Sequence, residues 1–130
     1  MDADLQLDLH EGELAVCRLG PDDHLPAWAA APGHPLHALT RTAEELSVVT
    51  SATAVPDEVT AERGWRALAV RGPLDFALTG VLARLAQPLA DAGVPIFAIS
   101  THDTDWLLVP AGHLDAAIRA LAAAGHVVHT

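Results

Sequence analysis

Five consecutive polar residues, T-H-D-T-D at 101–105, separate two apolar runs within the stretch F-A-I-S-T-H-D-T-D-W-L-L-V of residues 97–109. A tight β-hairpin needs about two turn residues, often Asn-Gly or Asp-Gly, so this connection is longer and more acidic than turning the chain requires. The carboxylates of Asp103 and Asp105 could accept hydrogen bonds from an ammonium group, and partial desolvation would strengthen such contacts. The five residues are therefore a candidate ligand-binding segment.

A second segment, G-P-L-D-F at residues 72–76, has complementary chemistry. It leads into a helix predicted over 76–92, for which Asp75 is the natural N-cap. The first turn of a helix leaves backbone N–H groups without intrahelical acceptors and carries partial positive charge, so it suits a carboxylate. The candidate donors are the amides of Phe76, Ala77 and Leu78. A capping Asp75 would compete with a ligand carboxylate for those donors.

The elements that must position these two segments are predicted in the order β-α-β-β-α-β. Alternating apolar residues predict the strands, and apolar spacings of three and four predict the helices. Strands are predicted over 65–71, 96–101, 106–109 and 126–129, and helices over 76–92 and from Leu114 to just before Gly125. Pro88 removes a hydrogen bond from the first helix, so we expect a kink or an early break near Ala86.

The first half of the chain repeats this order in reduced form. The segment from Ala38 aligns without a gap with the segment from Ala98, and the string G-P-x-D occurs at 20–23 and again at 72–75. In this first copy we expect the first helix to be a single turn or absent, and we predict a short second helix over Pro56–Arg63. Chance similarity of two short segments is the alternative to duplication.

The second half of the chain resembles the ACT-domain superfamily, and two strings carry the resemblance. They are G-W-R-A-L-A-V-R-G-P-L-D-F-A-L-T-G-V-L at 64–82 and P-L-A-D-A-G-V-P-I-F-A-I-S-T-H-D-T-D-W-L-L-V at 88–109. The resemblance is closest to the tandem domains of aspartate kinase regulatory regions and of the eukaryotic cytosolic arginine sensor. It implies an α+β fold of two tandem ferredoxin-like βαββαβ units with antiparallel sheets, a reduced unit at 1–63 and a complete unit at 64–130.

The same resemblance implies a non-catalytic regulatory protein that binds an amino acid where paired units meet. Two such units leave bare sheet faces or edges to be covered, which favours side-by-side packing and a homodimer. Any output would pass through an effector protein or an altered oligomer. The implied ligand-binding residues are Gly72, Leu74, Asp75, Phe76, Ala77, Leu78, Ile99, Ser100, Thr101, His102 and Asp105. His102 stands where relatives often carry Tyr or Phe, and the first unit is reduced. These departures favour the alternative, a structural or protein-interaction domain without ligand.

Other interpretations of the polar residues stay open. Asp75 would be a helix N-cap in any fold, and Asp103 and Asp105 could serve only to shape a turn. Ser100 and His102 lie two residues apart near a strand, so a hydrolytic dyad is conceivable. No sequence signature supplies an orienting partner or an oxyanion hole, so we predict that the protein is not an enzyme.

Eight histidines raise the question of a metal site. Two pairs have short spacing, His34 with His37 and His126 with His129. A separation of three residues on a strand places side chains on opposite faces, and no third ligand stands at a recognisable spacing from either pair. We predict no metal and no cofactor.

Composition limits the partners and the location. The formal net charge is −10 and the seven cations are all arginines without clustering, so nucleic acid is excluded as a partner because phosphate binding needs a positive patch. No apolar run approaches the roughly 20 residues of a membrane span, and the first residues lack a basic signal segment. Cys17 is the single cysteine, which fits a reducing cytoplasm. We expect a cytoplasmic location and no membrane partner.

Overall fold

A computed structural model describes residues 4–75 and 79–130 of the chain. The chain forms two compact units: unit 1 comprises Met1–His10 and Arg66–Thr130, and unit 2 comprises Glu11–Trp65. These compact units differ from the predicted division into 1–63 and 64–130 mainly because residues 1–10 group with the C-terminal half, and the second boundary lies two residues later.

The described elements are seven strands, three α-helices and two single 3₁₀ turns. In chain order they are β1 (Gln6–Leu19), α1 (Ala27–Ala30), β2 (Ala38–Arg41), β3 (Leu46–Ser51), a 3₁₀ turn (Ala52–Ala54), β4 (Ala61–Val70), α2 (Val81–Asp91), β5 (Phe97–Ser100), β6 (Asp105–Pro110), a 3₁₀ turn (Ala111–His113), α3 (Leu114–Ala123) and β7 (Val127–His129).

The sheet of unit 1 has the strand order β7-β1-β4-β6-β5. Here β1 contributes its residues up to His10, and β4 contributes its residues from Arg66 onward. β5 and β6 pair antiparallel, with Ser100 opposite Asp105. β1 pairs parallel to β7, with Gln6 opposite Val127. This parallel pair was not predicted. It joins residues about 120 positions apart, which no local sequence pattern reveals.

The core of unit 1 lies between this sheet and the two longer helices. Apolar spacings of three and four place one face of α2 and one face of α3 against the strands. Its buried members are Leu7, Leu68, Val70, Leu85, Leu89, Val94, Leu107, Val109, Ala117 and Leu121. The core therefore fixes the strand ends from which the site segments emerge.

Helix α2 continues through Pro88 to Asp91. Of the two outcomes predicted near Ala86, a kink or an early break, the break is therefore wrong. Proline has no N–H to donate to the carbonyl four residues earlier, which here belongs to Arg84. The Nε2 atom of buried His126 lies 3.3 Å from that carbonyl oxygen, and its Nδ1 accepts the N–H of Leu5 at 3.2 Å. This arrangement assigns the ring proton to Nε2, which donates to Arg84 in place of the missing helical N–H.

Unit 2 has the strand order β2-β3-β1-β4. Here β1 contributes its residues from Glu11 onward, and β4 contributes its residues up to Trp65. Its first helix, α1, is a single turn, as expected. The short helix predicted over Pro56–Arg63 is wrong: residues 56–60 form turns, and β4 begins at Ala61. Proline at 56 and the β-branched Val59 and Thr60 give this segment little helical preference.

The core of unit 2 is smaller and contains Ala15, Cys17, Ala29, Leu46, Val48 and Val55. Cys17 is buried within β1. Gly12 in β1 and Gly64 in β4 have φ angles of 90° and 79°, a left-handed conformation that glycine adopts without steric cost. Each lies close to the point where its strand passes from one unit to the other.

Candidate ligand-binding site

Unit 1 contains a cavity of about 220 Å³ between the loop after β4 and the β5–β6 hairpin. Its lining residues are Leu74, Asp75, Val81, Ser100, Thr101, His102, Asp103, Thr104 and Asp105. These nine described residues include three aspartates and no arginine, so the cavity favours a cationic group. Drug-sized pockets typically measure about 300–1,000 Å³, so this cavity suits a small molecule.

The hairpin turn Thr101–Thr104 is held by its own hydrogen bonds. The Thr101 N–H donates to the Thr104 carbonyl at 2.8 Å, and the Thr101 hydroxyl donates to the same oxygen at 3.0 Å. The Thr104 N–H lies 3.3 Å from the Thr101 hydroxyl oxygen, which accepts it. Thr101 therefore sets the shape of the turn, since threonine hydroxyls readily bond nearby backbone groups.

Two further hydrogen bonds tie this turn to β4 and the loop that follows it. The Leu74 N–H donates to the Asp103 carbonyl at 2.6 Å, and the Thr104 hydroxyl donates to the Val70 carbonyl at 2.5 Å. A Cβ atom added to Gly72 would lie 2.9 Å from the Asp103 carbonyl oxygen, so only glycine permits this approach. The two sequence segments are thus held together as one structure.

The polar side chains of the hairpin form two short pairs. The Ser100 hydroxyl donates to Asp105 Oδ1 at 2.6 Å, and His102 Nδ1 lies 3.0 Å from Asp103 Oδ1. The Ser100 proton is therefore committed to a carboxylate instead of an imidazole base. This geometry gives no support to the hydrolytic Ser100–His102 dyad.

Six predicted ligand-binding residues line the cavity: Leu74, Asp75, Ser100, Thr101, His102 and Asp105. Gly72 and Ile99 are not among the lining residues. Gly72 packs closely against Asp103 of the hairpin, and Ile99 lies on β5 opposite Trp106. Phe76, Ala77 and Leu78 lie outside the described residues. Three further residues line the cavity: Asp103 and Thr104, which belong to the candidate segment 101–105 but not to the residues implied by the resemblance, and Val81, which no sequence signal marked. The sequence shows the charge of Asp103, but it does not show the tertiary hydrogen bond between Thr104 and β4.

Helix α2 begins at Val81, later than predicted, with Gly80 as its N-cap at a φ of 77°. Asp75 lies five residues before this N-cap and is therefore not the capping residue of α2. The first-turn N–H groups of the helix belong to residues 81–83, since the N–H of Arg84 already donates to Gly80. Val81 lines the cavity, so the start of α2 forms part of its wall.

An ion pair lies next to the site at the end of β4. Arg71 donates to both carboxylate oxygens of Asp8, with Nε at 3.1 and 2.9 Å and Nη2 at 2.8 Å. The hydrogen bonds from Arg71 hold the pKa of the Asp8 carboxyl below its usual value. The pair joins β1 to the residue that precedes Gly72.

Two histidines contact groups within the protein, and the single cysteine is buried. His37 Nε2 lies 2.6 Å from the Ala29 carbonyl, and His129 Nε2 lies 2.6 Å from Gln6 Oε1. Burial raises the pKa of the Cys17 thiol, which makes it a poor nucleophile. Within residues 4–75 and 79–130, no group of three His, Cys, Asp or Glu side chains is placed to hold a metal ion.

The chain resembles proteins of known structure along almost its whole length. A protein from Agobacterium tumefaciens, Atu0741, is 34% identical, with a TM-score of 0.90 over 98% of this chain and 94% of that one. A model described as ACT domain matches residues 60–123, and a second model, described as an N-terminal domain, matches residues 12–58. This chain belongs to the same family as the Agobacterium protein and carries an ACT domain.

More distant structures share the fold of this ACT protein. The aspartate kinase of Clostridium acetobutylicum is 10% identical, with a TM-score of 0.69 over 94% of this chain and 35% of that one. The regulatory subunit of aspartate kinase from Thermus thermophilus is 16% identical, with a TM-score of 0.63 over 94% of this chain and 99% of that one. The match of the ACT-domain model to residues 60–123 confirms the resemblance of the second half of the chain to ACT domains, and these structures share its mixed α/β fold. The arrangement as two tandem ferredoxin-like units stays a prediction. No helix in the described part of the chain is long and apolar enough to cross a membrane.

Proposed function

We propose that this ACT protein is a non-catalytic regulator that binds a free amino acid in the cavity of unit 1. The observation that carries the proposal is the convergence of two separate polar segments on one cavity. Leu74 and Asp75 come from the loop after β4, and Ser100 to Asp105 come from the hairpin about 25 residues later. The likeness to aspartate kinase regulatory subunits supports a regulatory role.

The proposed contacts use two parts of the cavity lining. Asp105 accepts a hydrogen bond from Ser100 through Oδ1, and its carboxylate would accept a further one from a ligand ammonium. Asp75 supplies a second carboxylate to the same lining. The first-turn N–H groups of α2 would donate to the ligand carboxylate at the Val81 side. Charge-assisted hydrogen bonds of this kind are stronger than neutral ones.

We further propose that unit 2 is a second, reduced ACT-like unit of ferredoxin-like topology. Its strand order β2-β3-β1-β4 supports this, because the fourth strand lies beside the first and the third beside the second. The separate match of an N-terminal domain model to residues 12–58 is consistent with a distinct unit.

We also propose that the protein is a cytoplasmic homodimer and that ligand binding changes its interaction with an effector protein. A ligand can shift such an assembly only by its differential affinity for two states. Sedimentation equilibrium should give twice the 13.6 kDa mass of the chain. A monomer at all concentrations, with and without ligand, would contradict the dimer.

A thermal-shift screen with each of the twenty standard amino acids tests the binding function. A ligand at 100 times its Kd stabilises the folded state by ~2.7 kcal/mol, which raises the Tm of a chain of this size by roughly 10 °C. Asp105→Asn should abolish the shift for the amino acid that produces it. Asp91→Asn is the matched control, since Asp91 lies at the far end of α2, about 16 Å along the helix.

The alternative is a structural or protein-interaction domain without ligand, and the same screen distinguishes it. In that case no amino acid raises the Tm of the wild-type chain. An equal shift in wild type, Asp105→Asn and Asp91→Asn would place the binding site elsewhere and would also contradict the proposal.

A further inference from the structure

The β2–β3 hairpin of unit 2 has the same turn as the β5–β6 hairpin of unit 1. The Thr42 N–H donates to the Glu45 carbonyl at 2.8 Å, and the Glu45 N–H lies 3.2 Å from the Thr42 hydroxyl oxygen, which accepts it. Thr101 and Thr104 make the matching contacts in unit 1. Thr42 therefore corresponds to Thr101, one residue from the gap-free sequence alignment, which pairs Thr42 with His102.

The strand pairs next to the two turns extend this correspondence. Arg41 lies opposite Leu46 in unit 2, and Ser100 lies opposite Asp105 in unit 1. Arg41 thus occupies the position of Ser100. Leu46, at the position of Asp105, supplies no carboxylate.

The loop after β1 in unit 2 and the loop after β4 in unit 1 also correspond, since both begin with Gly-Pro and have Asp at the fourth position. In unit 1 the turn holds this loop through the Leu74 N–H. In unit 2 the guanidinium of Arg41 holds it, because Nη1 donates to the Pro21 carbonyl and Nη2 donates to the Asp23 carbonyl at 3.1 Å. A side chain of unit 2 itself therefore contacts the loop at this position.

We propose that the Arg41 side chain fills the place in unit 2 that corresponds to the ligand cavity of unit 1. Its guanidinium takes the place that a small cation would fill, so unit 2 binds no free ligand and the chain carries one open site. The count of one site rests on the proposed function of unit 1. The contacts of Arg41 do not.

The test removes Arg41 and offers N-ethylguanidinium as a replacement for its head group. In ¹⁵N-resolved spectra of the full chain, Arg41→Ser should show saturable shifts of the Gly20, Asp22 and Asp23 amides on titration. Wild type should show none, because its own guanidinium is already bound. Hydrogen exchange of the Gly20 and Asp23 amides should be about tenfold faster in the variant and should return toward the wild-type rate as the probe is added.

Arg18→Ser is the matched control, because Arg18 belongs to the same unit and its Nη2 donates to the Glu44 carbonyl of the same hairpin at 2.9 Å. It loses the same charge and should not make the loop amides responsive to the probe. If Arg41→Ser gives a spectrum without dispersed resonances, Arg41→Lys replaces it, since a single ammonium cannot reproduce two guanidinium donors. The lysine variant should then show the faster exchange.

The proposal is overturned if wild type responds to the probe at the loop amides as strongly as the Arg41 variant does. It is equally overturned if a folded Arg41→Ser chain shows no response, or if neither Arg41 variant exchanges these amides faster than wild type. Failure of the proposed function has a different signature: no amino acid shifts the amides of residues 100–105, whatever the loop in unit 2 does.

Discussion

The ion pair between Asp8 and Arg71 is a residue-scale feature that links stability to pH. Because Arg71 lowers the pKa of Asp8 in the folded state, the folded chain holds a proton at Asp8 less readily than the unfolded chain. The contribution to stability is therefore complete above the unfolded pKa of about 4 and is lost as the pH falls through the lower folded value.

Asp8→Asn should accordingly lower the free energy of unfolding at pH 7, and the difference from wild type should shrink as the pH falls below about 4. Urea unfolding across this range measures both quantities. Asp91→Asn serves as the control, since Asp91 accepts a hydrogen bond from the neutral amide of Gln87 at 2.8 Å. A difference for Asp8→Asn that does not change with pH would contradict the assignment.

At the scale of elements, helix α2 shows that local sequence signals alone do not determine where a helix begins and ends. Pro88 favours a helix break because it has no N–H to donate to the Arg84 carbonyl, but the Nε2–H of His126 donates to that carbonyl. The early start predicted at Phe76 followed from the capping preference of Asp75. The structure begins the helix at Val81, where Gly80 at a positive φ sets the boundary.

A double-mutant cycle between Pro88 and His126 tests this compensation. His126→Ala should cost about 2 kcal/mol in wild type, because partly buried backbone groups of Arg84 and Leu5 lose a partner. In the Pro88→Ala background the cost should fall by about 1 kcal/mol, since the alanine introduced there supplies the helical N–H to Arg84. Urea unfolding of the four chains gives the coupling, and additive costs would show that His126 does not replace the missing donor.

At the scale of the whole molecule, local patterns predicted the order of elements in unit 1 but not the assignment of the first strand. Apolar periodicity marks β5, β6 and α3 within one or two residues, because each element carries its own pattern. The pairing of Gln6 with Val127 depends on which distant segment completes the sheet. Local patterns therefore place residues 1–10 with the N-terminal half of the chain, whereas the structure groups them with the C-terminal half.

The candidate site was predictable to the extent that its chemistry is local. Five adjacent polar residues between two apolar strands are conspicuous, and a Gly-Pro-x-Asp string after a strand marks a loop. The contacts between Thr104 and Val70 and between Leu74 and Asp103 are tertiary. No spacing in the chain reveals them, nor the contribution of Val81 to the cavity wall.

The most direct test of the central claim is a ¹⁵N-resolved NMR titration of the full chain with each of the twenty standard amino acids. We predict that at least one gives saturable shifts at the amides of Leu74, Asp75 and residues 100–105, and that Asp105→Asn removes these shifts. Saturable shifts confined to other residues, or no saturable shift with any amino acid, would contradict amino-acid binding in the cavity of unit 1.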